Sequence, residues 1–248
     1  MPVDSGGESR PGVRRGRRWS PTARAGRFVD RADAGRQLAG CLEEYRGTTA
    51  VVAGLPRGGV PVAFEIARAL GLALDVVIVR KLGAPYQPEL AIGAVGEYGV
   101  RVLNHSVALA TGIGEDDLAA IERRERAEVA RRAALFRAGR ESVPLAGRTV
   151  IVVDDGIATG ATTRAACQVV RAAGATRVVL AVPVAPAESL AELAAAVDEV
   201  VCLLAPPGFN AVGEWYEDFT QTSDAEVIAL LARAAAPSAG RSGNPSEA

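Results

Sequence analysis

Short continuous apolar runs alternate along the chain with segments whose apolar residues recur every three to four positions. The runs are Thr49 to Leu55, Asp75 to Arg80, Thr149 to Val153, Arg177 to Val182 and Glu199 to Leu204. They are rich in β-branched residues and apolar on both faces, the pattern of parallel strands covered by helices. Helical spacing fills Val60 to Leu70, Thr162 to Ala173 and Ala187 to Ala196. Leu90 to Leu103, broken by Gly96 and Gly99, predicts two strands around a turn, so Gly83 to Gly99 is expected to leave the core. Glu115 to Arg140 sets Leu118, Ile121, Val129 and Leu135 among alternating charges, which predicts a long, largely exposed helix packed by one narrow stripe. The expected fold class is α/β, a mostly parallel central sheet flanked by helices.

Two ends fall outside this pattern. Residues 1–24 and 237–248 are rich in Gly, Ser, Pro and Arg with no apolar period, and are expected to be a disordered basic arm and a disordered tail. The arm holds Arg14, Arg15, Arg17 and Arg18, read as a solvated cluster that could touch phosphates or acidic partners. Residues 25–236 are left as one domain, and with 49% hydrophobic residues in the chain they can fill one good-sized core.

Composition removes several classes of function. Basic and acidic side chains number 28 and 29, so no whole-molecule field draws the chain to nucleic acid or an anionic membrane, and neither partner is expected. Cys41, Cys167 and Cys202 lie far apart, which fits neither a disulfide framework nor a zinc site and points to a reducing, cytoplasmic setting. No run of about 18 or more apolar residues occurs and charges stand near the first residue where a leader needs an apolar segment, so neither a membrane span nor a leader is expected. His105 is the only histidine, which sets aside histidine-based hydrolases and histidine-rich metal sites. Lys81 is the only lysine.

The chemistry concentrates where the strand run ending at Val153 meets Asp154, Asp155, Gly156, Ile157, Ala158, Thr159, Gly160, Ala161 and Thr162. Ligands of open α/β sheets bind beyond the carboxyl ends of strands, and a helix start preceded by small residues offers free N–H groups to a phosphate. Ala158 to Thr162 are small enough to close around that phosphate, and Thr159 and Thr162 add hydroxyl donors. The carboxylates of Asp154 and Asp155 would then face vicinal hydroxyls such as those of a ribose.

This stretch resembles the phosphoribosyl pyrophosphate signature of the type I phosphoribosyltransferases, departing at Gly156, where that family more often has an aliphatic residue. Gly54-Leu55-Pro56-Arg57-Gly58-Gly59 resembles the same family's pyrophosphate loop: Gly58 and Gly59 can present N–H groups to a diphosphate, and Arg57 supplies a cationic fork. The resemblance covers about Phe28 to Leu231. It implies a small hood, a flexible lid after Arg80-Lys81-Leu82-Gly83, a pyrophosphate role for Lys81 and a homo-oligomer. It also implies transfer of the 5-phosphoribosyl group from its pyrophosphate donor to a nitrogen acceptor, a nucleobase or another amine, with Mg2+ held chiefly by the donor's own oxygens. On the same grounds Asp154 and Asp155 would stabilise positive charge on the sugar. Among Pro207 to Phe219, Phe209, Trp215 and Tyr216 are candidates either to stack on the acceptor ring or to plug the core. Asp75, Glu89 and His105 are read as structural. A binding protein that senses the same donor without catalysis would use the same loops, with the Arg-rich arm as its nucleic-acid contact.

Overall fold

A computed structural model of the 248-residue chain describes residues 26–84 and 87–236, without the side chains of Pro88 and Glu89. The expectations for the Arg-rich arm, the C-terminal tail, Pro85, Tyr86 and the Glu89 carboxylate lie outside the described residues.

The core is a five-stranded, wholly parallel sheet of β1 (Val51–Gly54), β2 (Ala73–Val76), β6 (Thr149–Val153), β7 (Arg177–Val184) and β8 (Glu199–Leu204), in the order β2-β1-β6-β7-β8. Strand residues alternate between its two faces. Val52, Ile151, Val153, Val179 and Val201 pack with α1 (Arg31–Cys41), α2 (Gly59–Leu70) and α7 (Asp224–Ala235). Val51, Val150, Val152, Val178, Leu180 and Val182 pack with α5 (Ala161–Ala172) and α6 (Ala187–Leu193). Burial on both sides is why these segments read as unbroken apolar runs.

Connectivity decides where a ligand can sit. From β1 the chain crosses through α2 to β2 at one edge, whereas from β6 it crosses through α5 to β7 in the opposite direction. β1 and β6 are neighbours, so a crevice opens beyond their carboxyl ends at the point where the winding reverses.

A second, three-stranded antiparallel sheet of β3 (Val79–Ala84), β4 (Gln87–Gly96) and β5 (Arg101–Leu103) is followed by α3 (His105–Thr111) and the long α4 (Glu115–Arg137). The run Asp75 to Arg80 is thus not one strand. The main sheet takes it up to Val76, the amide of Val77 bonds the Gly54 carbonyl, and the chain turns into the other sheet. Val76, Val77 and Ile78 are all buried, so periodicity could not mark the break. Nor is Gly83 to Gly99 wholly outside the core, because Ile92 and Val95 are fully buried. From Gln87 onward the expected lid is a paired strand: a Cβ on Gly96 would lie 2.3 Å from a Val169 methyl, so β4 packs directly on α5.

Three helices went unread because their apolar stripes are short. Each is capped by side chains, with Asp30 accepting from the Asp33 amide in α1, Asn104 from the Val107 amide in α3 and Ser223 from the Glu226 amide in α7. Ser223 to Glu226 is a capping-box pattern visible in the sequence.

Asp75 is structural, as read. Its Oδ1 accepts from Arg137 Nε at 2.9 Å, its Oδ2 from the Val143 amide at 2.8 Å, and Arg137 also bonds Glu97, with Nη2 3.1 Å from Oε2. This cluster ties the end of α4 to both sheets, with the Arg137 side chain 9% exposed. Replacing Arg137 with alanine would strand two carboxylates, at a cost of about 3–5 kcal/mol. Urea unfolding should show that loss; a change under about 1 kcal/mol would refute the anchoring role.

Candidate functional site

Asp154 and Asp155 leave β6 at its carboxyl end, where the chain turns through Gly156 and Gly160 into α5. Gly156 has φ +157°, and a Cβ there would lie 2.4 Å from a Val212 methyl. The departure at this position therefore has a packing cause: it lets the loop around Val212 close on the end of β6. Gly160 sits at the α5 N-cap in the left-handed region, φ +74°, and gives no side-chain cap to the first-turn amides. Ala158, Thr159, Ala161 and Thr162 are exposed around it. Ile157 is buried and its amide bonds the Val184 carbonyl, while Ser189 Oγ donates to the Ala158 carbonyl at 2.7 Å. This small-residue turn is held from below and open above, a geometry suited to an anion.

The loop after β1 packs directly against this turn. The Leu55 amide bonds the Val153 carbonyl at 2.8 Å, and the Pro56–Arg57 peptide is cis. Both glycines are required by proximity: a Cβ on Gly58 would fall 1.9 Å from Asp155 Oδ2, and one on Gly59 would fall 2.5 Å from the Val153 carbonyl oxygen. Gly58 is thereby set against the carboxylate of Asp155. The Arg57 guanidinium, 37% exposed, turns toward the start of α7 and lies 3.8 Å from Asp224 Oδ1.

The two carboxylates have different surroundings. Asp154 accepts from the Asp155 amide at 3.0 Å and from Thr163 Oγ1 at 3.4 Å; burial, then the neighbouring Asp155 charge, pushes its carboxyl well above the usual range. Asp155 Oδ2 accepts from Arg31 Nε at 2.8 Å. Arg31 is itself fixed, donating to the Thr220 carbonyl at 2.8 Å and lying 3.9 Å from the Phe219 ring centre. No sequence reading found Arg31, because 124 residues separate it from Asp155 and nothing local marks it.

The aromatic segment packs as one cluster around Phe28 and Tyr216. Tyr216 is a correction to the acceptor-stacking reading: its ring is 4% exposed, packed 5.4 Å from Phe28 and 5.0 Å from Phe219, and its hydroxyl donates to the Asp155 carbonyl at 2.5 Å. It braces the carboxylate turn. Phe209 and Trp215 pack at the edge of the same cluster and are partly exposed. Trp215 Nε1 is buried with no hydrogen-bond partner among the described residues.

Lys81 lies on β3, where with Ala165 of α5 it lines two neighbouring cavities of about 820 and 580 Å3. The larger also touches Pro56 and Thr162, and so borders both glycine loops; the smaller touches Thr159, His105 and Gln168. Among the described residues there is no cluster of three or more His, Cys, Asp or Glu side chains able to hold a metal, and no helix long and apolar enough to cross a membrane.

Comparison with known proteins agrees with this architecture. A family model described as "Phosphoribosyl transferase domain" matches residues 30–218. Proteins of two Mycobacterium tuberculosis strains, provisionally named phosphoribosyl transferases, are 58% identical over 207 residues, 84% of this chain and 47% of their own length. The chain thus spans about half the length of the curated relatives it matches. A crystal structure of a Thermus thermophilus protein superimposes with a TM-score of 0.78 at 46% identity, covering 85% of this chain and 100% of that one. With two glycine loops meeting at the winding reversal of a parallel sheet, and with these matches, the chain belongs to the phosphoribosyl transferase domain family.

Proposed function

We propose that the chain transfers the 5-phosphoribosyl group from 5-phosphoribosyl 1-pyrophosphate to a nitrogen acceptor, releasing diphosphate. The observation that carries this reading is the contact between the loops: Gly58 approaches Asp155 so closely that no side chain fits between them. A ligand with a phosphate at one end, a diol in its middle and a diphosphate at the other would span that junction. The 5-phosphate would lie on the amides of Ala158 to Thr162. Asp154 and Asp155 would accept from the ribose hydroxyls, Asp155 through Oδ1, since Arg31 holds Oδ2. Gly58, Gly59 and Lys81 would meet the diphosphate, joined by Arg57 once its guanidinium turned from Asp224 toward the junction.

As the bond from C1 of the ribose to the diphosphate oxygen breaks, positive charge builds on the sugar and negative charge on the leaving group. Carboxylates already fixed by Arg31, Thr163 and the Asp155 amide need no reorganisation to stabilise that sugar charge. The acceptor nitrogen then supplies the electron pair for the new bond, and the partly exposed Phe209 and Trp215 would flank its ring.

Mg2+ suits a site of this kind, because it commonly takes one or two carboxylates and completes its shell with phosphate oxygens and water. Asp154 and Asp155 are the carboxylates at the junction, and the ion would neutralise leaving-group charge.

Titration with the donor and Mg2+, followed by diphosphate release with a panel of nucleobases and amines, tests the reading. Binding with release for one acceptor is the expected result. Tight binding with no release for any acceptor would replace catalysis by donor sensing, and no binding would refute the site.

A further inference from the structure

The long helix α4 belongs to none of the motifs, yet it walls the 820 Å3 cavity that borders both glycine loops. Asp117, Arg124, Glu125 and Arg132 of α4 face Pro56 of the first loop, Arg80 and Lys81 of β3, and Thr162 at the start of α5. Four cations thus line this space against two carboxylates. One of those carboxylates is already compensated: Glu125, 8% exposed, accepts from Arg80 at 2.8 Å and Arg124 at 2.9 Å. Arg132 also lines an adjoining hollow of about 30 Å3 with Leu55, Pro56 and Thr162, which sets it beside both loops.

Its anchoring is of a kind that can be exchanged. Arg132 Nε lies 2.7 Å from Glu128 Oε1, one turn away, and Glu128 is held equally by Arg131 at 2.7 Å. An exposed pair on one helix contributes little, and Glu128 would keep a partner if Arg132 swung toward an anion in the cavity. Such an anion would enter a partly enclosed space where a planar fork can bind two phosphate oxygens at once.

We infer that Arg132 is a diphosphate-binding residue, contributed by α4 to the leaving-group end of the site, with the Arg80–Glu125–Arg124 cluster holding the helix against β3. This rests on the donor reading above but adds a residue and an element that the loop motifs do not contain.

The test compares Arg132→Gln with Arg131→Gln, which loses the same helical pair outside the cavity, by calorimetric titration of the full chain with inorganic diphosphate plus Mg2+ and, separately, with ribose 5-phosphate. Arg132→Gln should weaken diphosphate binding about tenfold or more and leave ribose 5-phosphate unchanged, with Arg131→Gln within about twofold of the parent for both. Arg132→Lys should recover only part of the loss, since a point charge cannot replace the fork. Parent-like diphosphate binding by Arg132→Gln would overturn the inference while leaving the donor reading intact. Equal loss of both ligands would also overturn it, because the effect would not be confined to the leaving-group end. Failure of the parent chain to bind either ligand would remove the donor reading and this inference with it.

Discussion

Asp155→Asn is expected to lower phosphoribosyl transfer by about 10²–10³-fold, the scale on which removing one preorganised electrostatic partner acts. The substitution keeps the shape of the turn and the approach of Gly58, but removes the charge that faces the sugar. It also leaves Arg31, 11% exposed, without its anion, so stability should fall by about 2 kcal/mol. These two consequences can be separated. Arg31→Gln breaks the same pair and keeps both carboxylates, so it should share the loss of stability and keep far more of the activity. A pH profile gives a second signature. The Asp154 carboxyl is raised by burial and then by the Asp155 charge, so activity that needs Asp154 ionised rises with pH through its raised pKa. Removing the Asp155 charge takes away one raising cause, and the residual activity should show its acid limb at lower pH. Unaltered turnover in Asp155→Asn, measured below its unfolding transition, would remove Asp155 from the chemistry.

Gly160→Val should raise the donor Kd by about 100-fold or more, because a branched side chain wedged against Leu193 and Ile157 beneath the turn would move the cradle amides away from the phosphate. Backbone strain adds to this: φ +74° disfavours any L side chain, by about 1–2 kcal/mol, and a Cβ would sit 3.1 Å from Leu193 Cδ1. Gly160→Ala carries the same strain with less obstruction, so it should lose a similar amount of stability but much less affinity. If valine and alanine weakened binding equally, backbone strain and not crowding against Leu193 would be responsible. Donor binding at parent affinity in Gly160→Val would refute the cradle.

The strands and long helices that build the sheet were legible because each buries a face through local repetition. Thr149 to Val153 and Glu199 to Leu204 match β6 and β8, and Glu115 to Arg140 contains all of α4. Both glycine loops were legible for a different reason. A phosphate turn must be small, consecutive and placed after a strand, so its whole requirement is written in adjacent residues. The division of the Asp75 to Arg80 run between two sheets was not legible, since buried residues on both sides of the break give the same apolar pattern.

Sequence alone therefore determined the α/β class, most strands of the central sheet with helices α2, α4, α5 and α6, and the two loops at strand ends, because these depend on interactions among neighbours a few residues apart. Only the tertiary structure decided which distant groups complete the site. Arg31 reaches Asp155 across 124 residues, Tyr216 turns inward to brace the Asp155 carbonyl across 61, and Arg132 is brought from α4 to the mouth of the loops. An arginine on a charged helix and a tyrosine in a loop have the same local pattern whether they face solvent, core or ligand. The packing of β3 to β5 between α4 and α5 chooses among these for Arg132, and the closure of the Phe28 to Phe219 aromatic cluster chooses for Tyr216 and Arg31.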